Sequence, residues 1–536
     1  MSRHKVLCTL CGAALWTLPL PAQSLLEWKG LIHGPHAVGF STATVVDSTR
    51  TIAAPRDFLG RPRPDYGQRP IHVAIWQPAE SPTGGVEMTY SDYLPLLAWD
   101  TGSQSEGAAE RQVAELRYIQ AVTPLAGPAD HAAVDRLGSQ RVWARRDARP
   151  AAGRFPVLIY APGSGYPAFD NSVLFEYLAS YGYVVVSSPS IGPDARRMPG
   201  SLSGLEAQTR DLEFLAGYVQ TLPQVDAERI GTAGFSWGGI PSVLFALANT
   251  RVRAVISLDG VIRESQSLTL ARTFVRFKPE RLRVPLLVLT TAPDHAIPGF
   301  ADESFLDQVR FAEVTRAVIP GVDHHDFGSM SSLLRRASQP GKVRDWAPAT
   351  AGYEAICTLT LEFLDVHLKG GGARELSPSS AVKAACNVSI RQPEKAPPSA
   401  GDFLEVLDTD GAARATELVR TAVKEDPDAV STLAAAINQA GYELLFAGRT
   451  RDAITILTLG VEIAPESFDA SDSLGEAYLA AGEPDQARAS YLDARSKLEK
   501  ARGLAPDIRA RYVASADRGL AAAEAGRRKT ATPPPG

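Results

Sequence analysis

The sequence is poor in cysteine and in long apolar runs. It has four cysteines among 536 residues, and two of them, Cys8 and Cys11, lie in the first apolar run. Cys357 and Cys386 remain, and the pattern leaves open either one disulfide bond or two unpaired thiols. After the first run, no stretch approaches the roughly 20 apolar residues that a membrane-spanning helix needs. We therefore expect no transmembrane segment.

Charge and motif content exclude further classes of function. The formal net charge of −5 gives no sign of polyanion binding, so we expect no nucleic-acid partner. No glycine-rich loop of the phosphate-binding kind is present. Histidine and acidic residues cluster at Asp323-His324-His325-Asp326, where neighbouring side chains fit a single metal ion poorly. We expect neither a cofactor nor a metal.

The N-terminal segment has the pattern of an export signal. A basic start, Ser2-Arg3-His4-Lys5, precedes a short apolar run from Val6 to Leu18. Pro19-Leu-Pro-Ala22 then leads to a cleavage site of small residues. The pattern predicts that residues 1–22 are removed and that the mature protein is exported to the periplasm or secreted.

The chain is too long for one core, and its pattern changes along its length. Continuously apolar runs alternate with helical segments from Phe155 to Leu368, which predicts a mostly parallel sheet covered by helices on both faces. We assign residues 24–370 to this α/β domain. Residues 371–402 are rich in Ser, Pro, Ala and Lys and are predicted to be a linker.

The remaining segment is Ala-rich and repeats. Five positions recur 34 residues apart, and their first occurrences are Gly441, Ala453, Leu457, Gly460 and Pro465; the second are Gly475, Ala487, Tyr491, Ala494 and Glu499. This spacing is typical of tetratricopeptide repeats, in which small residues let paired helices pack closely. We predict an all-α repeat domain over residues 403–526, a surface for a protein partner, and a disordered tail over residues 527–536.

The α/β region contains a candidate nucleophile in Gly234-Phe235-Ser236-Trp237-Gly238-Gly239. An apolar run ends at Gly234, and a small-residue helical stretch begins at Ile240. A strand, a sharp turn and a helix in this order form a nucleophile elbow, in which the serine hydroxyl stands out on the turn. Glycines on both sides are needed because a side chain would collide in so tight a bend.

A serine hydroxyl needs a base and a group that orients the base. Gly321-Val-Asp-His324-His325 follows the last apolar run, where the histidine of this fold belongs. Spacing alone does not decide which of the two histidines is the base, and we favour His324. The acid has two candidates, Asp259 and Asp294, because each follows a predicted strand at its carboxyl end.

The developing oxyanion needs two backbone donors. The residue after the nucleophile, Trp237, supplies one N–H group. Ser164, within Pro162-Gly-Ser-Gly165, is the natural second donor, because glycines on each side let the backbone approach a carbonyl oxygen.

These motifs together resemble the secreted-type platelet-activating factor acetylhydrolase family, which groups with dienelactone-hydrolase-like esterases. The likeness covers roughly residues 34–368 in scattered motifs: Gly34-Pro-His-Ala-Val-Gly39, the 162–165 loop, the elbow, Leu258-Asp259 and Gly321-Val-Asp-His-His-Asp-Phe327. The resemblance implies an α/β-hydrolase fold, Asp259 as the acid and His324 as the base. One departure matters. The family's first loop usually begins with His-Gly, whereas this chain has Pro162-Gly163, so the hydrogen bonds that anchor the loop must differ.

We therefore expect a serine carboxylic-ester hydrolase that works through an acyl-enzyme. The resemblance implies small, short-chain acyl esters, lipid-like ones included. An alternative from another class is a protein-interaction scaffold, in which the repeats carry the function and the hydrolase domain is degenerate.

Overall fold

The computed structural model describes residues 28–52, 61–62, 67–81, 84–101, 131–195, 198–339, 346–370 and 376–531. The predicted signal peptide, residues 1–22, lies outside the described residues. The chain divides into two compact units, Met1–Glu394 and Lys395–Gly536.

A single mixed sheet organises the first unit. Its described strands are β1 (Ala37–Thr51), β2 (Gln68–Ala79), β3 (Val86–Thr89), β4 (Arg141–Arg146), β5 (Phe155–Ala161), β6 (Val184–Ser187), β7 (Val225–Phe235), β8 (Val252–Leu258), β9 (Leu286–Thr291), β10 (Val314–Ile319) and β11 (Asn387–Arg391). They lie in the order β11-β10-β9-β8-β7-β5-β6-β2-β1-β4-β3. Strands β5 to β10 run parallel to one another. Strand β2 pairs with β6, and β11 pairs with β10, both in the antiparallel sense.

Helices connect the parallel strands and cover the sheet. The described α-helices of this unit are α1 (His131–Gly138), α2 (Ser172–Ser180), α3 (Leu202–Tyr218), α4 (Gly239–Ala248), α5 (Ser265–Ala271), α6 (Ser304–Gln308), α7 (Ser329–Ser338), α8 (Ala347–Leu364) and α9 (Ser380–Ala385). A π-helical turn, Asp365–Lys369, follows α8. This is the architecture that the alternation of apolar runs and helices predicts: a central, mostly parallel sheet with helices.

The central strand β5 shows why the strand sequences are continuously apolar. Leu158 and Tyr160 are buried in the core on one face, and Val157 and Ile159 are buried in the core on the other. Successive side chains of a strand point to opposite faces, so a sheet covered on both sides needs apolar residues at every position. Among the described residues, no helix is both long and apolar enough to span a membrane.

The predicted linker, residues 371–402, is ordered in its described part. Within it, α9 precedes β11, which pairs antiparallel with β10 from Val314↔Arg391 to Val318↔Asn387. A short edge strand covers the backbone groups that β10 would otherwise expose. The Ser-, Pro- and Lys-rich composition of this segment does not reveal a strand of only five residues.

The second unit is helical. Its α-helices are α10 (Ala400–Thr409), α11 (Ala412–Glu425), α12 (Val430–Phe446), α13 (Thr450–Ile463), α14 (Phe468–Ala480), α15 (Pro484–Lys500) and α16 (Pro506–Ala531). Two glycines 34 residues apart mark the same place in successive helix pairs. A Cβ atom at Gly441 would lie 2.5 Å from the Leu457 side chain, and one at Gly475 would lie 2.9 Å from that of Tyr491. Both glycines therefore permit close helix packing.

The structure also bears on the predicted C-terminal tail and on the two cysteines. The tail was predicted to be disordered from residue 527, but α16 continues to Ala531, and Arg527 forms an ion pair with Asp485 at 2.6 Å. Residues 532–536 lie outside the described residues. Cys357 and Cys386 are both buried free thiols, so the disulfide that the sequence left open is not formed.

Candidate active site

The turn after β7 holds Ser236 in a strained backbone conformation. β7 ends at Phe235, a single 3₁₀ turn spans Ser236–Gly238, and α4 follows at once. Ser236 has a φ of 51°, a left-handed value that non-glycine residues seldom adopt. A Cβ atom at Gly238 would overlap the carbonyl oxygen of Ala161 on β5. The elbow therefore depends on glycine where it passes the neighbouring strand.

Ser236, His324 and Asp259 form a continuous hydrogen-bonded chain. The Oγ atom of Ser236 lies 2.9 Å from Nε2 of His324, and Nδ1 of the same ring lies 2.7 Å from Oδ2 of Asp259. His324 and Asp259 are buried. In this arrangement the imidazole can accept the serine proton at Nε2, while the carboxylate fixes the proton on Nδ1 and stabilises the positive charge that develops.

The structure separates the two candidate acids. Asp259 directly follows β8, its backbone N–H donates to the Leu289 carbonyl at 2.8 Å, and its φ of 42° turns it out of the strand direction. The Asp294 side chain is 78 % exposed and has His295 as its ion-pair partner, 3.8 Å away. Of the two carboxylates, only that of Asp259 contacts His324.

The two histidines also have different surroundings. His324 faces Ser236 and Asp259, whereas Nδ1 of His325 lies 3.2 Å from the hydroxyl oxygen of Tyr166. Burial and the neighbouring His324 ring lower the pKa of His325 to about 4. His325 is therefore a neutral side chain at working pH, outside the Ser236–His324–Asp259 chain.

A buried carboxylate, Asp326, holds the turn that carries His324. Its Oδ2 atom accepts the backbone N–H of Asp323 at 3.0 Å, and its Oδ1 atom accepts from Ser332 and Arg335, each at 2.7 Å. Asp326 is 1 % exposed, so the ion pair with Arg335 is shielded from solvent. These bonds tie the 3₁₀ turn His324–Phe327 to α7.

The loop after β5 contains Ser164, the second predicted backbone donor. The Pro162 carbonyl accepts from the buried side-chain amide of Gln208 on α3 at 2.9 Å, and the Gly163 carbonyl accepts from the Tyr166 N–H at 2.9 Å. The Gly163 N–H interacts with the buried carboxyl group of Asp170, whose pKa is raised well above its usual range by burial. Gln208 is thus an anchor of this Pro-Gly loop.

Few of the backbone N–H groups in this loop are free to donate. Pro162 has none, and those of Gly163 and Tyr166 are engaged. In the described part of the chain, the N–H groups of Ser164 and Gly165 have no acceptor. A Cβ atom at Gly163 would lie 3.3 Å from Cβ of Ser236, so the loop passes directly over the serine.

The Trp237 N–H is the other predicted donor. Trp237 lies in the first turn after β7, where a helix leaves its backbone N–H groups without intrahelical acceptors. Ser164 and Trp237 therefore remain the predicted pair of donors to an oxyanion formed at Ser236.

Aromatic rings enclose the imidazole of His324. The ring centroids of Phe235, His325 and Phe300 lie 5.1, 5.2 and 5.3 Å from that of His324. The two phenylalanine rings are apolar, and a hydrogen bond in such low-dielectric surroundings is electrostatically stronger than one in water.

Sequence reasoning missed Gln208, Tyr166, Asp326 and Phe300. Asp326 carried a recoverable signal, because an acid three residues after Asp323 forms a capping box around His324. The other three lie on segments distant in the chain, and no spacing rule links them to Ser236.

No group of three or more His, Cys, Asp or Glu residues suited to a metal ion occurs within the described ranges. The cluster at Asp323–Asp326 is instead used in local hydrogen bonds, such as that between Asp323 and His295 at 2.9 Å.

Comparisons with known proteins place part of this unit in context. Residues 161–328, which contain Ser164, Ser236, Asp259 and His324, match the model of the dienelactone hydrolase family. The chain is 23% identical over 183 residues to chlorophyllase type 0 from Chenopodium album, covering 30% of this chain and 52% of that protein. It is 28% identical over 131 residues to a putative carboxymethylenebutenolidase from Escherichia coli (strain K12), covering 24% of this chain and 48% of that protein.

The chain thus spans about half the length of these curated relatives. Among solved structures, a ferulic acid esterase from Streptomyces cinnamoneus is similar with a TM-score of 0.43 and 22% identity, covering 66% of this chain and 96% of that one.

Proposed function

We propose that the first unit is a serine hydrolase that cleaves carboxylic esters through an acyl-enzyme. The observation that carries the proposal is the hydrogen-bonded chain from Asp259 through His324 to Ser236, at 2.7 and 2.9 Å. The match of residues 161–328 to the dienelactone hydrolase family supports a carboxylic ester hydrolase.

Each group has a role in the proposed reaction. Ser236 Oγ attacks the ester carbonyl while Nε2 of His324 takes its proton, and the Asp259 carboxylate stabilises the imidazolium. The N–H groups of Ser164 and Trp237 bind the oxyanion. His324 then protonates the leaving alcohol, and a water molecule, deprotonated by the same nitrogen, releases the acyl group from Ser236.

The central test replaces the nucleophile. Ser236→Ala should lower kcat for a short-chain p-nitrophenyl ester by several orders of magnitude, because the acyl-enzyme can no longer form. A fluorophosphonate probe should label the wild type at Ser236 and leave the variant unlabelled. Ser203→Ala, at an exposed serine near the start of α3, is the matched control and should retain activity and labelling. Undiminished hydrolysis by Ser236→Ala would contradict the proposal.

We propose further that the substrates are short-chain acyl esters of the platelet-activating factor acetylhydrolase type, including lipid-like ones. The motif resemblance around Ser164, Ser236, Asp259 and His324 supports this substrate class. A series of p-nitrophenyl esters from two to sixteen carbons tests it, with kcat/KM expected to be highest at the short end. A maximum at long chains would contradict the assignment.

For the helical unit we propose tetratricopeptide repeats that bind a protein partner. The 34-residue spacing of Gly441 and Gly475, each against the following helix, supports a repeat of this kind. The competing scaffold hypothesis assigns the whole function to this unit. It would be favoured if the purified protein neither hydrolysed esters nor reacted with the fluorophosphonate probe.

We also propose that the protein is exported after removal of residues 1–22, as the basic and apolar N-terminal pattern suggests. Mass spectrometry of the protein from its native host should find a mature N-terminus near Gln23. A chain retaining its first residues in the cytoplasmic fraction would contradict this.

A further inference from the structure

One hydrogen bond joins the two loops that meet over Ser236. The hydroxyl oxygen of Tyr166 lies 3.2 Å from Nδ1 of His325. Tyr166 closes the loop that carries Ser164, because its N–H donates to the Gly163 carbonyl. His325 directly follows His324. The bond therefore spans from the loop with the proposed oxyanion donor to the turn with the proposed base.

Both partners keep their charge state over the neutral range. Burial raises the pKa of the Tyr166 hydroxyl, which retains its proton. Burial, the adjacent His324 ring and the Arg335 guanidinium lower the pKa of His325 to about 4, and the facing carboxylates of Asp326 and Asp323 do not reverse this. The contact is thus a hydrogen bond between two neutral groups.

The pair also packs against the residues that flank the reacting atoms. The Tyr166 ring meets that of Phe235 edge-on with centroids 5.5 Å apart, and the His325 ring meets that of His324 at 5.2 Å. Phe235 immediately precedes Ser236. A shift of either bridging side chain would therefore be transmitted to the serine or to its base.

We propose that Tyr166 and His325 are positioning residues that fix the loop at 162–166 and the turn His324–Phe327 at the separation the reaction needs. The proposal rests on the proposed function. Neither side chain touches the reacting atoms. Their effect is geometric, because an oxyanion donor and a base must both be held closely in place, and displacements near 1 Å can cost a large part of the rate.

A double-mutant cycle tests the bridge. Tyr166→Phe removes the hydroxyl but keeps the ring on Phe235, and His325→Leu removes the ring nitrogens. Each should lower kcat for the p-nitrophenyl ester by about tenfold, the factor that corresponds to one ordinary hydrogen bond, with KM within about twofold. The double variant should lose no more than either single variant, because both remove the same bond.

A conservative variant separates positioning from mere structural support. In His325→Asn the amide can present an oxygen or an N–H group close to the position of Nδ1, so kcat should return toward the wild-type value. In His325→Leu it should not. The melting temperatures of all variants are measured alongside, and the difference in kcat is expected among variants whose melting temperatures agree.

Three outcomes would overturn the inference: an unchanged kcat in Tyr166→Phe, multiplicative losses near a hundredfold in the double variant, or a loss confined to KM. If His325→Leu does not fold, Tyr166→Phe and His325→Asn still decide the matter, since only the former should be slow. A wild type that neither hydrolyses the ester nor takes the fluorophosphonate label would refute the proposed function and this inference together. A labelled, active wild type with an equally active Tyr166→Phe would refute this inference alone.

Discussion

Replacing Asp259 by asparagine tests the chemistry of the site most directly. The Asp259 Oδ1 atom accepts the backbone N–H of Thr291 at 3.4 Å, while Oδ2 faces Nδ1 of His324 at 2.7 Å. In Asp259→Asn, the Thr291 N–H would hold the amide oxygen, and the amide NH₂ would point at Nδ1. The NH₂ group can only donate, so the imidazole would have to carry its proton on Nε2 instead.

With a proton on Nε2, His324 cannot accept the proton of Ser236. We therefore expect Asp259→Asn to lower kcat by roughly 10⁴-fold, the size found when a triad acid is replaced by its amide and the tautomer is wrong. The fold should survive, because the amide has nearly the volume of the acid. The assay is hydrolysis of a short-chain p-nitrophenyl ester, with a thermal melt for each variant.

Asp294→Asn is the matched control for the same substitution. Its side chain is 78 % exposed, and its ion-pair partner is His295, so kcat should change by less than about threefold. A loss of less than tenfold in Asp259→Asn, or an equal loss in Asp294→Asn, would refute the reasoning.

Two further predictions concern stability. Gly238→Ala would drive its Cβ atom into the Ala161 carbonyl of a central strand and should lower the free energy of unfolding by more than about 2 kcal/mol in a denaturant titration, whereas Gly217→Ala, in open space on α3, should not lower it. Burial raises the pKa of Glu176 from 4.5 to about 7, so between these pH values the native state holds a proton that the unfolded state has released. The free energy of unfolding should therefore fall as the pH rises from 5 to 8, and that of Glu176→Gln should fall less over the same range.

Much of the architecture was accessible from the sequence because the sheet leaves a strong pattern. A strand such as β5, buried on both faces, must be apolar at every position. The edge strand β11 lacks this pattern. All but one of its five residues are exposed, so nothing in its composition distinguishes it from a linker.

The site was accessible only in part. The Ser236 turn can be recognised from its local sequence, because atoms a few residues away or on the next strand leave no room for side chains at its glycines. The choice between Asp259 and Asp294 is different, because both follow a strand at the same edge of the sheet. Local backbone conformation decides which carboxylate reaches His324. Gln208 and Tyr166 depend on contacts between distant segments, which spacing in one sequence does not reveal.

The register of the sheet explains how the serine and the acid come to lie so close together. β7 and β8 are adjacent and parallel, and Phe235 pairs with Leu258, so Ser236 and Asp259 are equivalent positions on neighbouring strands. Both have positive φ values, 51° and 42°, which costs roughly 1–3 kcal/mol for each non-glycine residue.

His324 follows β10, two strands beyond β8, and its ring must return across the end of β9 to meet both side chains. Two features therefore set the distances from the His324 ring to Ser236 and Asp259. One is the strained backbone at those two residues, and the other is the buried Asp326–Arg335 ion pair. The first two residues turn away from their strands toward the imidazole, and the ion pair holds the turn that carries the imidazole in place. Relaxing either side would lengthen the hydrogen bonds to His324, and that is a physical reason for strained residues in an otherwise regular sheet.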